Sequence, residues 1–181
     1  LVMQRNVGPV TIECVEGDIT RQSDLAAVVN AANAELRPGG GVAGAIHAAA
    51  GPELDQACRP LAPIRPGQAV LTEAFGLPNE CVIHCLGPVF GRDEPAAELL
   101  SACYREALHR AEENGLASVG FPAISTGVFG YPLAEAAEVA TRTVVQEAPG
   151  LRQVRLVRFV LFGADAQAAF AAVLDQAISA E

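Results

Sequence analysis

Two asparagines and a run of three glycines stand between a short apolar run and a stretch of small apolar residues at helical spacing. Asn30 and Asn33 come first, and the glycines are Gly39, Gly40 and Gly41. A glycine run ahead of a helix lets the backbone adopt conformations barred to other residues and leaves main-chain amides bare. Bare amides at the positive end of a helix dipole bind anions, and an asparagine side chain both donates to and accepts from a sugar hydroxyl. The stretch therefore indicates a ligand that carries phosphate and ribose.

The glycine run matches neither of the common nucleotide fingerprints. No Gly-Lys-Ser/Thr follows it and its spacing is not G-x-G-x-x-G, so a tight strand-to-helix turn that simply needs glycine is the plainer alternative. A second unit repeats the pattern: residues 117–124 are strand-like, 125–130 form a glycine-bearing loop, and a helix begins near Pro132. Two such loops in one sheet would bring two helix N-termini to either side of one pyrophosphate, which favours anion binding.

Three further side chains follow predicted strands, and each has two interpretations. Asp18 either caps the turn after its strand, the usual role of aspartate there, or accepts a hydrogen bond from an exocyclic amine such as that of adenine. Phe129 and Phe162 either pack in the core or in a lid, or stack on a ribose and a base. Ligands of open α/β sheets bind beyond the carboxyl ends of the strands, and we expect all three residues at that edge.

The elements that must position these residues alternate between strands and helices, which predicts an α/β fold. Residues 1–8 are interpreted as a loose start or an edge strand. His84 lies in an apolar strand and is expected to be a hydrogen-bonded core histidine, and His47 is expected to pack or hydrogen-bond rather than act as a base. The predicted strands are 9–15, 25–29, 68–75, 81–86, 117–124 and 154–162, and the predicted helices are 42–50, 53–58, 95–114, 132–148 and 165–178.

Composition narrows the class of protein and of partner. The 181 residues are 51% hydrophobic, enough for one substantial core, and no apolar run approaches the roughly 20 residues of a membrane span. The net charge is −9 and no lysine occurs, so bare nucleic acid is not expected as the main partner. Five cysteines without a Cys-x-x-Cys pair indicate neither a disulfide framework nor a zinc site, and a reduced cytoplasm is the expected location. An anionic ligand would have to be held by oriented amides and helix dipoles rather than by cationic side chains.

Five motifs in order give the chain a resemblance to the macrodomains, which are ADP-ribose-binding α/β/α modules. The motifs are residues 17–20, 29–33, 39–47, 82–88 and 122–132, and the resemblance covers about 9–178. It implies one domain over 1–181, built as a three-layer α/β/α sandwich around a mixed, mostly parallel sheet of six or more strands. It also implies no cofactor and no metal.

The resemblance implies a role for each candidate residue. Asp18, with the Ile19 amide beside it, would bind the adenine amino group, Phe162 would stack against adenine, and Asn33 would hold the distal ribose. The diphosphate and distal ribose would be wrapped by the main chain of two segments, Gly39, Gly40, Gly41 and Val42 in the first and Ser125, Thr126, Gly127, Val128 and Phe129 in the second.

One position departs from the pattern of the hydrolytic MacroD-type members, which usually carry aspartate where this chain has Ala43. The viral-type branch looks similar, with alanine there, and includes active mono-ADP-ribosyl hydrolases. The expected function is therefore hydrolysis of ADP-ribose from acidic residues of mono-ADP-ribosylated proteins, or deacetylation of O-acetyl-ADP-ribose, with Asn33 and Gly41 as the catalytic residues. The alternatives are a reader module that binds ADP-ribose without chemistry and an ADP-ribose-1″-phosphate phosphatase.

Overall fold

In the computed structural model, which describes residues 2–180, seven strands form one mixed sheet. Its spatial order is β1-β2-β7-β6-β3-β5-β4, with the five inner strands parallel and both edge strands antiparallel to their neighbours. This arrangement confirms the predicted mixed, mostly parallel sheet. The strands are β1 Val2–Val7, β2 Val10–Glu16, β3 Ala27–Ala31, β4 Ala69–Glu73, β5 Cys81–Cys85, β6 Ser118–Phe121 and β7 Leu156–Leu161.

Helices cover both faces of the sheet. They are α1 Gly41–Ala50, α2 Pro52–Cys58, α3 Ala96–Glu113, α4 Leu133–Glu147 and α5 Ala164–Ser179, with short 3-10 turns at Arg59–Leu61 and Ala148–Gly150. Val29 and Ile83 pack into a hydrophobic cluster with α3, α4 and α5, whereas their neighbours Val28 and Val82 pack with α1 and α2. Successive side chains of a strand point to opposite faces, so these are two cores on the two sides of one sheet. The three-layer α/β/α sandwich is thereby confirmed.

The strand predicted to begin at residue 25 begins instead at Ala27. Leu25 lies in a turn, in which its amide donates to the Gln22 carbonyl at 3.1 Å and its own carbonyl accepts from Asn79 Nδ2 at 2.8 Å. Its side chain is nonetheless buried, close to Gly120, where an added Cβ would lie 2.7 Å from Leu25 Cδ1. Leu25 is therefore apolar because it is buried, although it lies in a loop. A short apolar run does not distinguish a buried loop residue from a strand residue.

None of the helices within residues 2–180 combines the length and the apolar character needed to cross a membrane.

His84 is a hydrogen-bonded core histidine, as predicted. Thr72 donates its hydroxyl hydrogen to the Glu73 carbonyl at 2.9 Å, so at 3.0 Å it accepts from His84 Nε2. The other ring nitrogen, Nδ1, then accepts from Asn30 Nδ2 at 3.1 Å. Burial lowers the pKa of His84 to about 3, so the ring is neutral at physiological pH.

The buried, neutral state of His84 makes the fold sensitive to mild acid. The unfolded histidine titrates near pH 6.5 and the folded one near 3, so the unfolded chain takes up the proton first and stability falls as the pH is lowered. We expect His84 alone to remove about 1.5 kcal/mol from the free energy of unfolding between about pH 6.5 and 5, above the range in which carboxylates titrate. Urea unfolding of the wild type and His84→Gln at both pH values measures this. Equal pH dependence in the two proteins would contradict the assignment.

Candidate functional site

A cleft of about 770 Å³ opens at the carboxyl edge of the parallel strands. It lies where β3 and β6, which pair at two positions before they diverge, send the chain to opposite faces of the sheet. The chain leaves β3 for α1 in one helical layer and leaves β6 for α4 in the other. Such a topological switch point is where open α/β sheets bind their ligands.

Every residue predicted for the site lines this one cleft. They are Asp18, Ile19, Asn33, Gly39, Gly40, Gly41, Val42, Ser125, Thr126, Gly127, Val128, Phe129 and Phe162. Gly17 and Asp18 follow β2, Asn33 follows β3, the segment 122–129 follows β6, and Phe162 follows β7. Residues 33–41 are called the first loop below, and residues 122–131 the second loop.

The first loop delivers main-chain donors to the cleft at the start of α1. No side chain caps this helix, and its first turn contains no acidic residue. Within the described part of the chain, the amides of Gly41, Val42 and Ala43 donate to no other group. Gly41 has a φ of +57°, and a Cβ added to Gly40 or Gly41 would meet nothing within 4 Å, so both residues face open space. These amides form an uncapped helix N-terminus that is ready to bind an anion.

Close backbone contact holds the first loop against α1. A Cβ on Gly44 would collide with the Gly39 carbonyl oxygen, so only glycine allows the loop to cross the helix here. Gly44 lies within the predicted glycine motif but was not predicted as a site residue. Its role is to fix the path of the loop.

In the second loop, the polar side chains satisfy the backbone rather than the cleft. Ser125, at a φ of +68°, donates its hydroxyl to the Pro88 carbonyl at 2.8 Å, and its own carbonyl accepts from the Tyr131 amide at 2.9 Å. The Thr126 hydroxyl donates to the Ala123 carbonyl at 2.8 Å. Among residues 2–180, no acceptor is found for the next three amides, those of Gly127, Val128 and Phe129. The second loop therefore also offers main-chain donors to the cleft.

Gly87 brings the second loop close to the end of β5 and was not predicted as a site residue. It lines the cleft, and a Cβ at this position would collide with Ser125 Oγ. The signal available in the sequence was the Gly87-Pro88 pair directly after an apolar strand.

The cleft contains almost no side-chain charge. Asp18 is the one charged side chain among the described residues that line it, and none of its lining residues is cationic. Within residues 2–180 no three His, Cys, Asp or Glu side chains come together in a group able to hold a metal ion. Attraction for an anion must therefore come from main-chain N–H groups and helix dipoles, as the net charge of the chain implied.

Asp18 has the geometry of a turn cap and keeps one oxygen available. Its Oδ1 accepts from the Thr20 amide at 2.9 Å and from the Thr20 hydroxyl at 2.7 Å. Arg21 Nε is 3.8 Å from Oδ2. The Thr20 hydrogen bonds lower the pKa of Asp18 below its ordinary value, so the carboxylate is ionised at neutral pH. The capping interpretation is thus correct, and Oδ2 remains able to accept from a ligand.

Asn33 is fixed by its own loop, a feature that the sequence reasoning missed. Its Oδ1 accepts from the Arg37 amide at 3.0 Å, and its Nδ2 donates to the Arg37 carbonyl at 2.8 Å. Asparagine commonly makes such local bonds to nearby backbone. An amide group has two hydrogens and two oxygen lone pairs, so one donor hydrogen and one acceptor site remain for a sugar.

Two large apolar side chains at the cleft are almost fully exposed. Phe162 is 95% exposed and Val128 is 97% exposed. Phe129 differs, because it is half-buried against the cluster beneath α1 and α2. Its carbonyl also accepts from the Phe90 amide at 2.8 Å. An exposed aromatic ring at the mouth of a cleft offers a stacking surface that no part of the described chain covers.

Comparison with known proteins agrees with this geometry. Residues 29–140 match the family model described as Macro domain. The chain is 46% identical over 170 residues to an O-acetyl-ADP-ribose deacetylase of Salmonella gallinarum, covering 91% of this chain and 94% of the relative. The solved Oceanobacillus iheyensis macrodomain with ADP superposes with a TM-score of 0.95 at 39% identity, covering 100% of this chain and 98% of that one. A Trypanosoma brucei macrodomain in complex with ADP-ribose gives a TM-score of 0.82 at 37% identity, covering 89% and 68%.

A pair of glycine substitutions separates the structural from the ligand-facing part of the first loop. Gly44→Ala is expected to cost about 1–3 kcal/mol of unfolding free energy, because the new Cβ collides with the Gly39 carbonyl. Gly40→Ala is the matched control. It is expected to stay within about 0.5 kcal/mol, because its φ of −89° suits alanine and nothing lies within 4 Å. Chemical denaturation measures both, and equal destabilisation would contradict the close crossing.

Proposed function

The chain belongs to the Macro domain family, and from that premise we propose that its cleft binds ADP-ribose. The observation that carries the proposal is the pair of loops whose main-chain amides, unpaired within the described chain, line one cleft without a cationic side chain. The diphosphate lies between the two loops, adenine lies beside Asp18 and Phe162, and the distal ribose lies beside Asn33. The ligands named for the relatives support this choice.

The available interactions are sufficient for useful affinity. A main-chain hydrogen bond to a charged phosphate contributes about 1.5 kcal/mol or more. The two loops offer six such amides, three at the start of α1 and three in the second loop. Stacking of adenine on Phe162 adds roughly 1–3 kcal/mol. After the cost of association, a dissociation constant near micromolar, or about −8 kcal/mol, is expected.

The source of the attraction can be tested by calorimetry with ADP-ribose at different salt concentrations. If cationic side chains held the ligand, salt would screen their attraction and lower the affinity for ADP-ribose, but this cleft has none. The net charge of −9 on the chain instead repels the ligand, and salt screens that repulsion. Raising NaCl from about 50 to about 500 mM is therefore expected to leave the dissociation constant unchanged within about threefold, or to lower it. A steep loss of affinity with salt would contradict binding by main-chain dipoles. Absence of saturation at high micromolar ADP-ribose would overturn the proposal itself.

We further propose that the site hydrolyses an ester on the distal ribose. O-acetyl-ADP-ribose and ADP-ribose linked to Asp or Glu side chains are both such esters. One water adds to the acyl carbon, the bond from that carbon to the ribose oxygen breaks, and a carboxylate, free ADP-ribose and a proton leave. Asn33 aligns the sugar, the Gly41 backbone holds the adjacent phosphate, and a ligand phosphate oxygen orients the water. Such catalysis rests on positioning and on electrostatic stabilisation.

Ala43 favours a second candidate, a module that binds ADP-ribose without chemistry. It lines the cleft with a methyl group, so no carboxylate is available there to take a proton from water. A missing general base typically costs 10²–10⁴-fold in rate, about 3–5 kcal/mol. An ADP-ribose-1″-phosphate phosphatase is the third candidate, and the assay below includes its substrate.

Release of product from three substrates distinguishes these candidates: an Asp/Glu-linked mono-ADP-ribosylated protein, O-acetyl-ADP-ribose and ADP-ribose-1″-phosphate. We expect turnover of the two esters by the wild type. Ala43→Asp is expected to raise it about tenfold or more by adding a base, and Ala43→Asn is the matched control without one. Asn33→Ala is expected to lower turnover about tenfold or more through lost alignment.

Each contrary result has a distinct meaning. Binding of ADP-ribose with no release above buffer from any substrate would leave the reader function. Full turnover by Asn33→Ala would remove Asn33 from the catalytic residues while keeping the hydrolase. Unfolding curves of each variant exclude a loss of fold as the cause.

A further inference from the structure

An arginine behind the adenine end of the cleft ties three segments of the chain together. Arg158, on β7, has a side chain that is only 13% exposed. Its Nε donates to Glu13 on β2 at 2.8 Å, and its Nη1 and Nη2 donate to the two oxygens of Asp24 at 2.8 Å each. Nη1 also donates to Gln22 Oε1 at 2.9 Å. Such a set of charge-assisted bonds fixes the guanidinium in one position.

Gln22 links this arginine to the segment that carries Asp18. A guanidinium only donates hydrogen bonds, so the oxygen of the Gln22 amide must face Arg158 and its nitrogen must face away. That nitrogen, Nε2, donates to the Asp18 carbonyl at 2.9 Å. The result is a continuous path of hydrogen bonds from Arg158 through the Gln22 side chain to the backbone of Asp18.

Other contacts hold Gln22 in place around this path. Asn79 Nδ2 donates to the Gln22 carbonyl at 2.8 Å, and an added Cβ on Gly17 would lie 3.4 Å from Gln22 Nε2. The segment 17–25 is a loop without regular secondary structure, so its shape depends on such side-chain bonds. Gln22 makes two of them with one amide group.

We infer that Gln22, held by Arg158, is a positioning residue that aims the Asp18 carboxylate and thereby sets the preference for the base of the nucleotide. The inference rests on the proposed binding of ADP-ribose. Adenine presents an exocyclic amine, which donates to Asp18 Oδ2, the oxygen that Thr20 does not occupy. Hypoxanthine presents a carbonyl oxygen at the same place, which a carboxylate repels. The discrimination therefore depends on where Oδ2 points, and that depends on the loop backbone that Gln22 holds.

The test compares calorimetric affinities for ADP-ribose and inosine diphosphate ribose, which differ only in the base. The wild type is expected to prefer ADP-ribose by about tenfold or more, since a hydrogen bond to a charged group is worth about 1.5–3 kcal/mol. Gln22→Met keeps the length of the side chain but removes both hydrogen bonds, and it is expected to reduce the preference below about threefold. Affinity for the inosine ligand should stay the same or rise, because the misdirected carboxylate no longer repels the hypoxanthine oxygen and the loops that hold the diphosphate are untouched.

Further variants separate the orientation of the Asp18 carboxylate from a general loss of stability. Gln22→Glu still accepts from Arg158 but cannot donate to the Asp18 carbonyl, so it should lose the preference as Gln22→Met does. Asp24→Asn weakens another partner of Arg158 without touching Gln22, so it should keep the wild-type preference. In an Asp18→Ala background, which has no carboxylate to aim, Gln22→Met should have no further effect on the ratio.

The results distinguish failure of ADP-ribose binding from failure of the positioning role of Gln22. If the wild type binds neither nucleotide, the proposed function fails and this inference fails with it. If the wild type prefers ADP-ribose and Gln22→Met keeps that preference, or weakens both ligands equally, the inference alone is overturned.

Discussion

The proposed function imposes one constraint on the structure: a protein of net charge −9 must attract a dianionic ligand without a cation in its cleft. Main-chain N–H groups can meet it, but only if the backbone is held where each hydrogen points into the cleft. A main-chain N–H cannot rotate independently as a side chain can, so its direction is set by the path of the loop. The close crossing of Gly44 and Gly39 and the packing of Gly87 against Ser125 serve this purpose. The glycines of the site are thus of two kinds, those that expose amides and those that let segments touch.

The sheet supplies the second requirement, which is that two such loops lie side by side. Five parallel strands end at the same edge, and β3 and β6 are neighbours there. Because their connections leave to opposite faces, neither loop covers the other, and a cleft remains between them. Polar side chains of the loops hold this shape by hydrogen bonds to the backbone. Asn33 bonds to the main chain of Arg37, and Ser125 bonds to the carbonyl of Pro88. These side chains therefore support ligand binding by ordering the loop backbone as well as by direct contact.

Sequence patterns predicted most of this architecture because the relevant signals are local. Apolar runs followed by glycine-bearing loops identified both loops and the order of strands and helices, and the five motifs carried the family. The start of β3 was predicted wrongly because Leu25, although buried, lies in a turn before the strand. The hydrogen bonds between Asn33 and Arg37 were missed because asparagine is compatible with many local backbone geometries. The Arg158–Gln22 contact joins residues 136 positions apart, and nothing in either local sequence indicates it. Such contacts follow from the register of β7 beside β2, which only the folded sheet defines.

A neutral cleft that suits binding also limits the chemistry it can perform. Asp18 is its one ionisable side chain among the described lining residues, and its pKa is lowered by the Thr20 hydrogen bonds. A carboxylate with a lowered pKa is a weak general base, and this one is already committed to the turn that it caps. Any acceleration of ester hydrolysis must then come from fixed amides and from a water held at the right distance, rather than from proton transfer to a side chain. Hydrolase and reader would share every binding contact and differ only in whether a water is held where it can attack the acyl carbon, because Ala43 supplies no carboxylate to activate that water.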